Sequence, residues 1–199
     1  MKTRDRVLLS AVAAAVLLAA APASAQLPAA NPPVVPKREV RDGSRDFDFI
    51  VGKWKMHHRR LRNPLTGSST WVEFEGTSVG RLLWDGRVSE DENVFHDPAG
   101  KIEGMTVRFY NEKSGQWSIY WASNTLGGLA LPPTVGSFDR KNGTGTFYDH
   151  EIWNGKAILV RYLWHDIKAD SCRWEQAFSE DGGRTWETNW IQYIERVKE

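Results

Sequence analysis

From Lys53 to Arg196 turn-forming residues recur about every dozen residues, the spacing of an all-β chain. No helical period outlasts a single turn, except around Asp46 to Val51. Asp97-Pro98-Ala99-Gly100, Asn111-Glu112-Lys113-Ser114-Gly115, Asn142-Gly143 and Asn154-Gly155 each supply a positive or preset φ. Between such turns, β-branched and aromatic residues alternate with polar ones. They predict strands over 53–62, 70–84, 88–96, 102–110, 117–123, 134–139, 144–150, 157–165, 171–179 and 186–196. Ten short strands joined by tight turns imply an all-β antiparallel meander, and closing it into a barrel would remove its exposed edges.

One turn carries a motif. Ser179-Glu180-Asp181-Gly182-Gly183-Arg184-Thr185-Trp186 fits the S-x-D-x-G-x-T-W pattern of the Asp-box hairpin at every fixed position. Ser179, Asp181, Gly183, Thr185 and Trp186 are therefore expected to shape a turn and to do no chemistry. A single copy excludes the propellers in which such boxes recur, because a four-stranded blade takes about 40–45 residues.

The N-terminus reads as a secretory signal. Lys2, Arg4 and Arg6 precede an apolar run from Val7 to Ala21, and Pro22-Ala23-Ser24-Ala25 closes it with small residues, so cleavage is expected after Ala25. The run is shorter than the ~20 residues of a bilayer span, so no membrane anchor is expected in the mature chain. Residues 26–46, with Pro28, Pro32, Pro33 and Pro36 followed by a charged stretch, read as a flexible linker. A single domain then spans 47–197, large enough at about 150 residues to bury about 70% of its unfolded surface. Periplasmic or extracellular placement follows from the signal. Without it the chain holds 23 basic and 24 acidic residues, which leaves no electrostatic footprint for nucleic acid. The lone Cys172 cannot form an internal disulfide, and its alternation with Trp174 and Gln176 makes it a core residue rather than a nucleophile.

Candidate site residues come from strand parity. On 157–165, Ile158, Val160, Tyr162 and Trp164 form one face, while Arg161 interrupts an otherwise apolar second face. Arg108 and Glu175 likewise sit among apolar or aromatic neighbours, so all three could converge on a barrel lumen. One reading makes them an ion-pair network that fixes register, or simply surface charges. The other makes Arg108 and Arg161 anchors for the polar end of a ligand, with Glu175 orienting an arginine or acting as acid/base. Tyr120, Trp54 and Trp121 complete the candidate ligand-binding set. Most of the ten tryptophans are explained by core filling.

No metal site emerges. His57, His58, His96, His150 and His165 show no chelating spacing, and the adjacent His57 and His58 point to opposite strand faces. No nucleophile elbow, phosphate loop or dinucleotide fingerprint is present.

Phe47-Asp48-Phe49-Ile50-Val51-Gly52-Lys53-Trp54 resembles the opening of an uncharacterised family of exported bacterial domains of unknown function. Trp71-Val72-Glu73-Phe74-Glu75-Gly76, Trp117-Ser118-Ile119-Tyr120-Trp121 and Arg173-Trp174-Glu175-Gln176-Ala177-Phe178-Ser179 are similar to later segments of it. That family carries no catalytic residues to transfer. Gly52-x-Trp54 also resembles the start of the first strand in lipocalins and haem-binding nitrobindins, which implies a calycin-like barrel. The chain departs from lipocalins in having no C-terminal helix, and from nitrobindins in placing Met56 where they have Gly. No cofactor is expected; haem is the alternative, with His165 as its first candidate ligand. Three functions remain open: a barrel that binds a small apolar or amphipathic molecule, a lumen enzyme using Glu175, Tyr120 and Arg161 on a lipid, polyketide or aromatic substrate, and a filled structural or interaction module.

Overall fold

The computed structural model describes residues 42–198. The expected signal peptide and the linker as far as residue 41 lie outside the described residues. The strands are β1 (Gly52–Leu61), β2 (Trp71–Leu83), β3 (Val88–Asp97), β4 (Gly100–Asn111), β5 (Gln116–Ser123), β6 (Gly128–Leu129), β7 (Thr134–Asp139), β8 (Thr144–Trp153), β9 (Lys156–His165), β10 (Ser171–Ser179) and β11 (Glu187–Arg196). Each pairs antiparallel with its sequence neighbour, except that β6 is a two-residue strand appended to β5, which itself continues to β7. β11 returns to β1 with Met56 opposite Ile194 and closes a ring of ten strands. The meander is thus an up-and-down barrel of calycin type, and β11 is the last element among the described residues. Closure leaves no free edge in the ring.

Alternation along each strand sorts the side chains. β1 turns Trp54, Met56 and His58 inward and Lys53, Lys55 and His57 outward. The outward residues form the cross-strand ion pairs typical of a solvated face: His57 with Glu75, Arg59 with Glu73, and Arg81 with Glu90 and Glu92.

One end of the barrel is plugged by the segment before β1. Two short 3-10 turns, Gly43–Arg45 and Asp48–Ile50, carry it across that end. The first is capped by the Asp42 carboxylate, which accepts from the Ser44 amide. Phe47 is fully buried and meets the rings of Trp117, Phe138, Phe147 and Trp164 at centroid distances of 4.9–5.9 Å. The Trp117 indole donates to Gly43 O at 2.9 Å, and the Gly43 amide donates to the Tyr110 hydroxyl at 2.8 Å. Packed chain therefore begins by Asp42, upstream of the Phe47 boundary expected from composition. The polar character of 42–46 reflects capping and an ion pair between Arg140 and Asp46, where a linker was expected.

The Asp box folds as its sequence dictates. The Asp181 carboxylate accepts from the Thr185 amide and hydroxyl and from the Ser179 hydroxyl, at 2.7–2.9 Å. The Gly183 amide donates to Ser179 Oγ, and the Trp186 indole donates to Gly183 O. Gly182 and Gly183 both take positive φ, 73° and 88°, which only glycine adopts without strain. The three hydrogen bonds to Asp181 hold its carboxyl below the ordinary range. Asp181→Ala is expected to loosen residues 180–187 and lower the thermal midpoint without unfolding the barrel. Limited proteolysis and calorimetry check this, and an unaltered cleavage pattern would count against it.

Candidate functional site

The lumen is not filled. It encloses a cavity of about 620 Å³ whose floor is formed by Ile50, Trp54, Ile119, Trp164 and Ile194, just above the N-terminal plug. It opens at the other end, between the Leu126–Pro132 segment, the β8–β9 turn at Ile152 and Trp153, and the end of β1 at Arg60. Pockets of this size hold small molecules. Six of the ten tryptophans line it: Trp54, Trp121, Trp153, Trp164, Trp174 and Trp190. Trp121 lies flat across Gly104, where any Cβ would stand only 2.1 Å from its ring, and it stacks on Phe95 at 6.0 Å. The glycine on β4 thus makes the room in which the indole forms a wall.

The walls divide by chemistry. β2, β3 and β4 contribute Ser78, Asp91, Asn93, Thr106 and Arg108, and all five are buried. Arg108 donates through Nη1 to Asp91 Oδ1, and both residues are 3% exposed. Asn93 donates to the second Asp91 oxygen at 2.6 Å. The Arg108 guanidinium also lies 4.8 Å from the Phe47 ring and 5.8 Å from the Trp164 ring. Across the lumen β9 and β10 present Tyr162, Trp164, Trp174 and Phe178, with Tyr162 and Trp174 5.0 Å apart.

Three of the six sequence candidates fall in this lumen. Arg108, Trp54 and Trp121 line it. Tyr120, Arg161 and Glu175 lie on the outer face, so the expected convergence of Arg108, Arg161 and Glu175 does not occur. Arg161 alternates with the lumen residues Val160 and Tyr162 and packs outside on Trp186 of the Asp-box hairpin, 4.7 Å from the ring. That hairpin folds back over β9, bringing Gly183 against Leu159, which is why the outer face of β9 is apolar in sequence. Glu175 accepts from His165 at 3.2 Å with Arg173 beside it, and Tyr120 packs edge-on to Phe109. Of the acid/base set, Glu175 and Arg161 are diagonal neighbours on the outer faces of β10 and β9, while Tyr120 lies apart on the outer face of β5, so none of the three faces the lumen. His165, the candidate haem ligand, also points outward, between Glu175 and Asp166.

Besides Arg60, Ser78, Asp91, Asn93 and Thr106, three ionisable groups in or beside the lumen were not among the expected site residues. Asp149 and Glu151 on β8 face the cavity, and burial raises both carboxyls above the ordinary range; Asp149 raises Glu151 further, while the His150 amide and ring oppose the rise at Asp149. Neither forms a salt bridge among the described residues. Their i, i+2 spacing puts them on one face of β8, but the strand expected from sequence ended at His150, short of Glu151. The third is His58, fully buried against Phe74 and Phe95 beside the cavity. Cys172 behaves as expected of a core thiol, its pKa pushed up to about 12 by burial.

A closed ten-stranded meander with one plugged end and one open end defines a calycin-type barrel with an internal cavity. No family model matches the chain, and no curated protein matches it. Among solved structures, the S-type phycobiliprotein lyase from Guillardia theta is similar, with a TM-score of 0.51 and 12% identity over 77% of this chain and 91% of that one. At this identity the likeness is one of fold.

Proposed function

We propose that the domain is an exported binding barrel that holds an apolar or amphipathic small molecule in its lumen. The open cavity of about 620 Å³ carries this reading, because a barrel that served only as a structural module would fill the space with side chains. One polar wall and one aromatic wall suit a ligand with a polar side and a ring or chain. The similar solved barrel is described as a phycobiliprotein lyase, and its likeness to this chain is one of fold. The signal-like sequence at residues 1–25 supports placement outside the cytoplasm.

Six lumen tryptophans make binding directly readable. A neutral fluorophore, N-pentyl dansylamide, is expected to quench tryptophan emission saturably at one molecule per chain. Thr106→Phe, which puts a ring into the cavity from β4, is expected to weaken that binding at least about tenfold, the effect of losing about 1.4 kcal/mol of contact. Quenching that never saturates, or that Thr106→Phe leaves unchanged, would refute the container reading. Native mass spectrometry of protein purified from the exported fraction would identify a resident ligand by mass.

A further inference from the structure

Charge balance in the lumen narrows the ligand class. Arg108 is answered by Asp91, which also takes the Asn93 amide. Arg60, at the mouth, lies 4.5 Å from the Trp190 ring and binds Asp97, an acid it shares with Arg62. Both arginines that line the cavity therefore already have an acidic partner before any ligand arrives, Arg108 one of its own and Arg60 one shared with Arg62. Asp149 and Glu151 differ. Asp149 is 7% exposed, and its Oδ1 accepts only the His150 amide, at 2.6 Å. No Lys or Arg forms an ion pair with either carboxylate among the described residues.

The surroundings of this pair are those of a cation site. Inward-facing Trp153 follows Glu151 on β8 and packs on Phe178 at 5.3 Å, and Tyr162 beside them packs on Trp174. Aromatic faces next to a carboxylate attract ammonium groups through the ring quadrupole. Two indole nitrogens on the lumen wall, those of Trp153 and Trp164, are buried without a hydrogen-bond partner. The second belongs to a residue only 5% exposed. Indole N–H groups donate only, so they suit acceptor atoms elsewhere on the same ligand.

We infer that the lumen selects a cationic amphiphile: Asp149 and Glu151 bind a protonated amine while the aromatic wall and the floor hold its apolar part. This rests on the container reading and names its ligand class. It also reverses the polarity expected from sequence, in which arginines were to anchor a polar or anionic end.

Three probes sharing one fluorophore and one five-carbon tether test it. Dansylcadaverine ends in an ammonium, dansyl-6-aminohexanoate in a carboxylate, and N-pentyl dansylamide in a methyl group. The ammonium probe is expected to bind at least about tenfold more tightly than the carboxylate probe, in line with a charge-assisted contact. Asp149→Asn with Glu151→Gln is expected to abolish that preference while leaving the neutral probe's affinity within about twofold of wild type. Equal binding of all three probes to the wild type would overturn the cation inference and leave the container standing. A preference that survives the double substitution would also overturn it. Failure of the neutral probe to bind would remove the container reading itself, and the inference with it.

Discussion

Arg108→Met is expected to destabilise the barrel by about 3–5 kcal/mol, because it strands a buried carboxylate. Asp91 is 3% exposed, and Arg108 is the cation bonded to it. Methionine is close to the apolar stem of arginine in size, so the main losses are the ion pair and the contacts of the guanidinium with the Phe47 and Trp164 rings. The double variant Arg108→Met with Asp91→Asn removes the orphaned charge and retains a side chain able to meet the Asn93 amide. It is expected to recover at least about half of the lost stability, since removing both partners of a buried pair costs far less than removing one. Urea denaturation of the wild type and both variants gives the comparison. A loss under about 1 kcal/mol for the single variant would show that Asp91 does not depend on Arg108. The arginine would then be free for an anionic ligand, and the cation inference would lose one of its premises.

The architecture was readable because every level of the sequence agreed with it. Turn chemistry at Asn142-Gly143 and Asn154-Gly155, period-two alternation and aromatic enrichment all specify hairpins, and the observed strands start and stop within a few residues of the expected ones. The direction of each face was harder. On β9 both faces are apolar, one from the lumen and the other because the Asp-box hairpin covers it from outside. Alternation cannot tell a covered outer face from an inner one. β10 and β11 add a bulge at Gln176/Ala177, which buries Asn189 as well as the alternating set of Gln192 and Ile194. Arg108 was legible because a charge among apolar and aromatic neighbours on a strand invites an inward placement, and the alternation on β4 keeps it on the lumen face with Thr106. Asp149 and Glu151 were not, because an acidic residue every second position on a strand normally marks a solvated face. Only the closed ring, which turns β8 toward its opposite wall, reveals them as lumen groups.

Acidification is expected to weaken the fold through His58, by about 4 kcal/mol at pH 3. The imidazole is fully buried between Phe74 and Phe95, and Gly76 is needed beside it because a Cβ there would come within 2.7 Å of Nε2. Its Nδ1 accepts from the Trp190 indole at 3.2 Å, which fixes the neutral form with the proton on Nε2. Burial pushes the pKa down to about 3; the neighbouring His57 and Arg60 add to the fall, and Asp97 opposes it. An unfolded histidine titrates near 6.5, so between pH 6.5 and about 3 the unfolded chain holds the extra proton. The stabilisation is therefore complete above pH 6.5 and is lost as the pH falls toward 3. Asp97 adds to the acid loss: although burial works against it, the Ala99 amide and Arg62 hold its carboxyl below the usual range. The raised carboxyls of Asp149 and Glu151 act in the opposite direction. His58→Gln, which is uncharged at every pH and keeps an acceptor for Trp190, cancels these shared contributions in a difference measurement. Its stability at pH 7 is expected to be lower, from lost ring packing, but its fall between pH 7 and 3 should be smaller than the wild type's by about 4 kcal/mol. Chemical denaturation of the two proteins across that range makes the comparison, and parallel curves would show that His58 is not the acid-sensitive group.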